Sequence, residues 1–273
     1  MKHDSMHKRL PLIIFTVIAG LAVVGIMRRS DGRRSGLAEE FTPPGGDTLA
    51  VAIEMSPLTY NLRNDTIEGF DYLLLRDIAR KHGIPVVFYP FSQLEDAFLG
   101  LYEHRYNLLV ASIPSTSTLK KYFPLTDAVY LDKQVLVQLA DSAGGRGPIL
   151  SQEQLRGDTV WIAEGSPFRT RLNNMAKELG DTITIFSYPE HSSEHLAIMT
   201  ATGDVKHTVV NEAVARRIAA MYPRLDIATP ISFNQFQVWA VAPGDTALRD
   251  SLNNWLGSFR HTEAYRRLAN RYL

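Results

Sequence analysis

The chain has 273 residues, 45% of them hydrophobic, and its 29 basic and 29 acidic residues give a formal net charge of zero. This balance does not favour a nucleic acid or a strongly acidic substrate as partner. The sequence contains no cysteine, which excludes disulfide bonds, thiolate metal ligands and a lipid-modified cysteine. A chain of this size can form one two-lobed domain or two small ones.

An apolar run without charged residues extends from Leu10 to Met27 and has a basic pair on each side. Its length is about the minimum for a membrane span and is long for the apolar part of a cleaved signal peptide. No small-x-small cleavage site follows, so we predict an uncleaved signal anchor in residues 1–29, with a cleaved signal as the alternative. Residues 30–47 are rich in Gly, Pro and charge and are predicted to be a linker.

The rest of the chain alternates short apolar runs with amphipathic helical patterns, which predicts parallel sheets built from βαβ units. A second set of such units begins at about residue 159, and the chain is expected to cross between the two sets near 136–140 and 228–238. We therefore predict one lobe from residues 48–137 plus 231–273 and a second lobe from residues 138–230.

Two motifs follow the first predicted strand: Ser-Pro-Leu-Thr-Tyr-Asn at 56–61 and Gly-Phe-Asp-Tyr at 69–72. In order and spacing they resemble the first ligand-side loop of the family 3 periplasmic solute-binding proteins. Within that family, they are most similar to the non-catalytic, solute-binding-like half of the membrane-bound lytic transglycosylases F. The resemblance implies an α/β, two-lobed periplasmic-binding-protein (clamshell) fold from residue 48 to 273. Together with the predicted N-terminal transmembrane helix, it implies a single-pass inner-membrane protein whose folded domain lies in the periplasm.

Polar residues after the predicted strands imply a ligand-binding cleft between the lobes. The strongest local signal is Ser166-Pro167, a predicted helix start whose free amide groups favour an anion or a carbonyl. In amino-acid-binding members of the family an Arg and an Asp grip the ligand, and these positions fall at Leu119 and Asn211 here. We therefore predict no tight binding of free α-amino acids. The predicted ligand-binding residues are Ser56, Tyr60, Ser112, Thr116, Thr118, Lys120, Ser166, Phe168 and Asn211.

Two enzymatic hypotheses have weaker support. His191, Glu194 and His195 match H-x-x-E-H, an inverted zinc-peptidase pattern. A predicted helix cap at Ser192 or Ser193 places the first histidine before the helix, so we expect no metal site. A lytic transglycosylase needs an acidic Glu, typically in a Glu-Ser dipeptide. The sequence has no such dipeptide and stops where the catalytic domain would begin, so we expect no catalytic residue, no enzyme activity and no cofactor.

The leading hypothesis is thus a membrane-anchored, exported solute-binding or sensor domain for a small polar ligand, for example a peptidoglycan fragment. The alternative is a degenerate clamshell that docks a cell-wall enzyme or a transporter. A zinc peptidase is the third hypothesis. The expected partners are the small ligand, the membrane through the N-terminal helix and, in the alternative, the enzyme or transporter, with no nucleic acid.

Overall fold

The computed structural model describes residues 48–63, 65–141, 147–164, 166–189 and 191–273. The predicted anchor and linker, residues 1–47, lie outside this part of the chain. Among the described helices, none is both long and apolar enough to cross a membrane.

The described residues form twelve strands and seven α-helices, numbered here in chain order. The strands are β1 (Leu49–Glu54), β2 (Asn61–Arg63), β3 (Thr66–Glu68), β4 (Val86–Phe91), β5 (Leu108–Pro114), β6 (Tyr130–Asp132), β7 (Gln134–Leu139), β8 (Thr159–Ala163), β9 (Thr184–Tyr188), β10 (Thr208–Asn211), β11 (Leu225–Asp226) and β12 (Gln235–Val241). The helices are α1 (Phe70–His82), α2 (Leu94–Tyr102), α3 (Phe168–Leu179), α4 (Ser193–Thr202), α5 (Glu212–Met221), α6 (Thr246–Arg260) and α7 (Glu263–Tyr272).

The first lobe is built on a five-stranded sheet in the order β4-β1-β5-β12-β6. Strand β1 runs parallel to β4 and β5, whereas β12 runs antiparallel to β5 and β6. The inward faces of α1, α6 and α7 cover one side of this sheet, and α2 covers the other. Because β1 and β5 are parallel neighbours, their carboxyl ends lie at the same edge of the sheet.

The second lobe has its own five-stranded sheet, in the order β11-β7-β10-β8-β9. Strands β8, β9 and β10 are parallel, and β7 and β11 lie antiparallel to their neighbours. The carboxyl ends of β8 and β10 therefore also meet at one edge. A two-stranded hairpin of β2 and β3 lies apart from both sheets.

The chain changes lobes earlier than the predicted boundary after residue 137. Strand β7 pairs with β10, with Leu136 opposite Val209, so the second lobe begins next to Lys133. The return lies between Ile231, whose N–H still bonds the carbonyl of Gln134 at 2.8 Å, and the start of β12. An apolar run such as the one in β7 fits the interior of either sheet, and only its pairing partner decides between them.

A buried carboxyl group fixes the loop that connects β1 to α1. Asp71 has no exposed surface and accepts hydrogen bonds from Trp239 Nε1 at 2.8 Å and from Thr59 Oγ1 at 3.3 Å. Gly69 adopts φ 133°, and a Cβ there would lie 2.3 Å from the carbonyl oxygen of Thr59. The phenol of Tyr272, in the last helix, accepts the Gly69 N–H at 3.3 Å. Residues from the loop, the sheet and the C-terminal helix therefore hold one wall of the cleft in place.

Candidate functional site

A cleft opens where the strand ends of the two sheets face each other. Its lining includes Glu54 at the end of β1, Ser112 in β5, Ala163 at the end of β8 and Asn211 at the end of β10. Open α/β sheets place ligands beyond the carboxyl ends of their strands, and this cleft has that position in both lobes.

The cleft volume is about 100 Å³. Pockets for drug-sized ligands have roughly 300–1,000 Å³, and one water in the liquid occupies about 30 Å³. In this conformation the cleft therefore has room for a few waters or one small chemical group, so a larger solute requires the lobes to separate.

The first-lobe wall is centred on Glu54. The Ser112 N–H donates to Glu54 Oε2 at 3.1 Å, and the Ser112 hydroxyl lies 2.8 Å from the hydroxyl of Tyr130. Burial raises the pKa of Glu54, and the Ser112 N–H partly offsets this effect. Ser56 also lines the cleft, and its Oγ accepts the N–H of Thr59 at 3.0 Å. The carboxyl group is thus held at the cleft surface by a single described hydrogen bond.

The second-lobe wall is formed by the amino ends of three helices. Ser166 Oγ accepts the Phe168 N–H at 3.2 Å where α3 begins, and Ser192 Oγ accepts the His195 N–H at 3.2 Å where α4 begins. Asn211 precedes the first residue of α5. The helix start predicted at Pro167 lies one residue later, because the proline occupies the N-cap position. These ends direct positive partial charge towards the cleft.

Acidic side chains are also part of the second-lobe wall. Glu164 follows β8, and Glu194 lies in the first turn of α4. Burial raises the pKa of Glu194. The imidazole of His191 lines the cleft as well, and its buried Nδ1 has no hydrogen-bond partner among the described residues.

The structure brings five of the nine predicted ligand-binding residues together at the cleft. These five are Ser56, Ser112, Ser166, Phe168 and Asn211. Ser112, Ser166, Phe168 and Asn211 lie near the end of a strand or the beginning of a helix, and Ser56 lies in the loop that follows β1, so the position of each follows from the order of the elements.

The other four predicted residues do not line the cleft. The ring of Tyr60 packs at 5.4 Å against Tyr72, and Thr116 Oγ1 accepts the N–H of Leu119 at 3.2 Å within a turn. Thr118 and Lys120 are exposed on that turn. Leu119 packs against the core around Phe98 and Phe123, so the turn directs its apolar side inward. The sequence shows where this loop lies between the strands, but it does not show which way the side chains of the loop point.

Three acidic residues at the cleft, Glu54, Glu164 and Glu194, were not in the predicted ligand-binding set. The signal for Glu54 was its position at the end of an apolar strand, two residues before the polar loop begins at Ser56. Such a position in a parallel sheet favours a cleft residue. Glu194 was considered only as part of the zinc-peptidase pattern.

The H-x-x-E-H pattern has a different geometry from a zinc site. His191 precedes α4, whereas His195 lies within it, and their rings stack with centroids 4.4 Å apart and an angle of 11° between planes. Within the described residues, no group of three or more potential His, Cys, Asp or Glu ligands is placed to hold a metal ion. The two imidazoles therefore form a ring stack that continues to Tyr188, whose centroid is 4.5 Å from that of His191.

Among curated proteins, the chain is similar to the membrane-bound lytic murein transglycosylases F of Desulfosudis oleivorans and Idiomarina loihiensis. The first is 24% identical over 224 residues, covering 82% of this chain and 48% of the relative, and the second is 24% identical over 216 residues, covering 78% and 46%. The chain spans about half the length of these relatives. This similarity confirms the predicted likeness to the transglycosylase F proteins.

Solved structures with the same fold include an ancestral arginine-binding protein bound to arginine, with a TM-score of 0.72, 23% identity and coverage of 84% of this chain and 99% of the other. The GluR0 ligand-binding core from Nostoc punctiforme in complex with (L)-glutamate has a TM-score of 0.68 and 19% identity, covering 82% and 99%. These similarities confirm the predicted two-lobed α/β fold. The model of the bacterial extracellular solute-binding proteins, family 3, matches residues 48–273, and the chain belongs to this family.

Proposed function

We propose that this protein binds a small polar solute in the cleft between its lobes and closes around it, without catalysing a reaction. The observation that carries the proposal is the composition of the cleft, since both lobes contribute strand ends and helix starts to one lining. In the described chain only two segments join the sheets, one at Lys133 and one between Ile231 and β12. This arrangement supports a hinge, and a solute that contacts both walls favours the closed state.

We further propose that the protein is anchored in the inner membrane by Leu10–Met27, with the lobes in the periplasm. The support is the charge-free length of this run and the absence of a cleavage signature after it. Carbonate extraction of membranes tests the anchor, because a spanning helix stays in the pellet. Recovery of a mature form that lacks the first thirty or so residues would contradict it.

The proposed solute class is a peptidoglycan fragment rather than a free α-amino acid. The names of the curated relatives refer to murein, which supports a cell-wall ligand. The described cleft lining contains no Lys or Arg that could pair with a free carboxylate. An amino acid would therefore leave its carboxylate facing Glu54 and Glu164 without a cationic partner.

Calorimetry of the full chain with muropeptides, N-acetylglucosamine and the common amino acids tests this proposal. Ser92 is exposed, lines the cleft and is suited to a blocking substitution, Ser92→Trp. The matched control is Ser117→Trp, on an exposed loop outside the cleft. We expect muropeptide binding that Ser92→Trp abolishes and Ser117→Trp retains. Equal binding by both variants would place the solute elsewhere, and micromolar binding of a common amino acid would contradict the ligand class.

The alternative, a clamshell that docks a cell-wall enzyme or a transporter, is favoured by one observation. Leu131, Phe233 and Phe236 are 57%, 89% and 58% exposed and lie at the lobe crossing, where Leu131 is opposite Phe236 across β6 and β12. Exposed apolar patches of this kind mark interaction surfaces. A full chain that shows no response to any solute, but loses a copurifying partner when Phe233 is changed to Ser, would support docking instead.

A further inference from the structure

The acidic residues of the cleft come from both lobes and have no basic partner. Glu54 belongs to the first lobe, and Glu164 and Glu194 belong to the second. Within the described part of the chain, none of the three forms an ion pair with Lys, Arg or His within 4 Å. Other acidic residues of the described chain do form ion pairs, as Glu212 does with Arg216 at 3.0 Å. The cleft therefore concentrates negative charge at the position where the solute is proposed to bind.

Glu54 is the most constrained of the three carboxyl groups. Among the described residues, its carboxyl group accepts one hydrogen bond, from the Ser112 N–H to Oε2. The side chain borders the cleft. Besides the larger effect of burial, the charge of Glu54 raises the pKa of the nearby Asp71. A desolvated carboxylate with a single neutral donor is costly unless an opposite charge compensates it. A cationic group in the cleft would provide that charge.

The two lobes also oppose each other with like charge. Glu95 lies in the first turn of α2, and after burial the largest effect that raises its pKa is the charge of Glu164 on the opposite lobe. In this structure the two carboxylates repel each other, and within the described residues neither forms an ion pair with Lys, Arg or His. A positively charged solute would remove this repulsion and bind the closed state more tightly than the open state.

The helix starts provide a different kind of group. The amino ends of α3 and α4 carry roughly half an elementary charge each, spread over several N–H groups, and Ser166 and Ser192 already bond one N–H at each end. Such ends suit a carbonyl or hydroxyl oxygen. They do not replace the bidentate guanidinium that a free carboxylate requires.

We propose that the solute carries a cationic group, such as an amine or a guanidine, which binds between Glu54, Glu164 and Glu194, and that the rest of the solute inside the cleft presents neutral acceptors rather than a carboxylate. This inference rests on the proposed solute-binding function and specifies the charge of the ligand. It predicts that removing the carboxylate of a cationic amino acid strengthens binding to this cleft.

The test is calorimetry of the full chain at fixed ionic strength with agmatine, arginine, glutamate and N-acetylglucosamine. Agmatine is arginine without its carboxylate, so the pair isolates the effect of that group. We expect agmatine to bind more tightly than arginine and glutamate not to bind. Glu54→Gln should weaken agmatine binding by about tenfold or more, as expected for losing one buried charge-assisted partner.

Glu164→Gln is the second variant, because Glu164 is exposed and the substitution is not expected to impair folding. It should weaken agmatine binding less than Glu54→Gln does, since an exposed charge is better screened. The matched control is Glu178→Gln, which removes an exposed carboxylate of the same lobe that pairs with Arg171 outside the cleft. Agmatine binding should be unchanged in this control.

Agmatine binding that both cleft variants leave unchanged would overturn the inference. Binding of N-acetylglucosamine or glutamate, blocked by Ser92→Trp while agmatine does not bind, would overturn the charge assignment and leave the solute-binding function intact. Absence of binding by all four probes and by muropeptides would overturn both.

Discussion

Two acidic side chains of the first lobe, Asp71 and Glu54, lie close together and have opposite surroundings. Asp71 is completely buried and accepts hydrogen bonds from Trp239 and Thr59, so it links three parts of the lobe. Glu54 borders the cleft and accepts a single described hydrogen bond, from the Ser112 N–H. A carboxyl group whose partners are all provided by the protein stabilises the fold, whereas one that lacks partners is available to a ligand. The first is therefore expected to control stability and the second to control binding.

The largest effect is expected from Asp71→Ala, and Glu54→Ala is the comparison. Removal of Asp71 leaves the Trp239 N–H buried without a partner, so the free energy of unfolding should fall by about 3 kcal/mol. Glu54→Ala should lower it by less than about 1 kcal/mol, because it also removes an uncompensated charge. Urea unfolding followed by tryptophan fluorescence measures both. Equal losses would show that Glu54 is a structural group as well.

Gly69→Ala should weaken the loop that joins the two acidic sites. The substitution forces a Cβ to within 2.3 Å of the Thr59 carbonyl oxygen at a φ of 133°, and we expect a loss of about 2 kcal/mol or more. Gly83→Ala is the control, since Gly83 also has a positive φ, 68°, but no atom within 4 Å of the added Cβ. Thermal unfolding should rank Gly69→Ala as clearly less stable than Gly83→Ala. The opposite order would show that the loop can move away from α1.

The pH dependence of the free energy of unfolding should reveal the contribution of the buried carboxyl group of Asp71. Burial raises the pKa of Asp71 from 3.8 to about 7, despite the hydrogen bonds from Trp239 and Thr59. Between these two values the folded state binds more protons than the unfolded state, so this group adds stability as the pH falls from 7 towards 4 and loses it as the pH rises. Relative to Asp71→Asn, the free energy of unfolding of the wild type should be about 2 kcal/mol higher at pH 5 than at pH 7.5. A difference that does not vary with pH would show that Asp71 is ionised throughout.

The smallest expected effect concerns Asp132, at the lobe crossing. Its carboxylate accepts the Lys133 N–H at 2.8 Å and the Ala213 N–H at 3.4 Å, so a first-lobe residue caps a second-lobe helix. Asp132→Ala should lower stability by about 1 kcal/mol, as for the loss of a helix cap, and should loosen the hinge. Small-angle scattering should show a larger radius of gyration for this variant, with Asp127→Ala, an exposed residue, as the control. An unchanged radius would mean that the cap does not hold the lobes together.

The helices and strands that define the fold could be predicted from the sequence, because periodicity and capping residues are local features. The helical spacing of Leu74, Leu75 and Ile78 and the terminating Gly83 predicted α1, which ends there with a left-handed glycine. The Ser-Pro pair at 166–167 predicted the start of α3 to within one residue. Periodicity and capping depend on neighbours in sequence, so they need no knowledge of distant residues.

The cleft could be predicted only in part, because the direction of its side chains depends on contacts between residues that are distant in sequence. Strand order indicated that Ser112 and Asn211 each lie near the carboxyl end of a strand, where open α/β sheets bind ligands. It could not show that the turn after Thr116 directs Lys120 to solvent and Leu119 to the core. A one-residue difference in such a turn changes which side chain faces the ligand, and packing against Phe123 decides it.

By itself the sequence determined the α/β alternation, the family resemblance and the polar character of the loops, since each follows from residue types at short spacing. Only the tertiary structure decided that β7 belongs to the second sheet and that Glu54, Glu164 and Glu194 share one cleft without a basic partner among the described residues. These three residues are far apart in the chain, and their charges act on one another through space. Pairing and proximity of this kind arise only when both lobes are folded against each other.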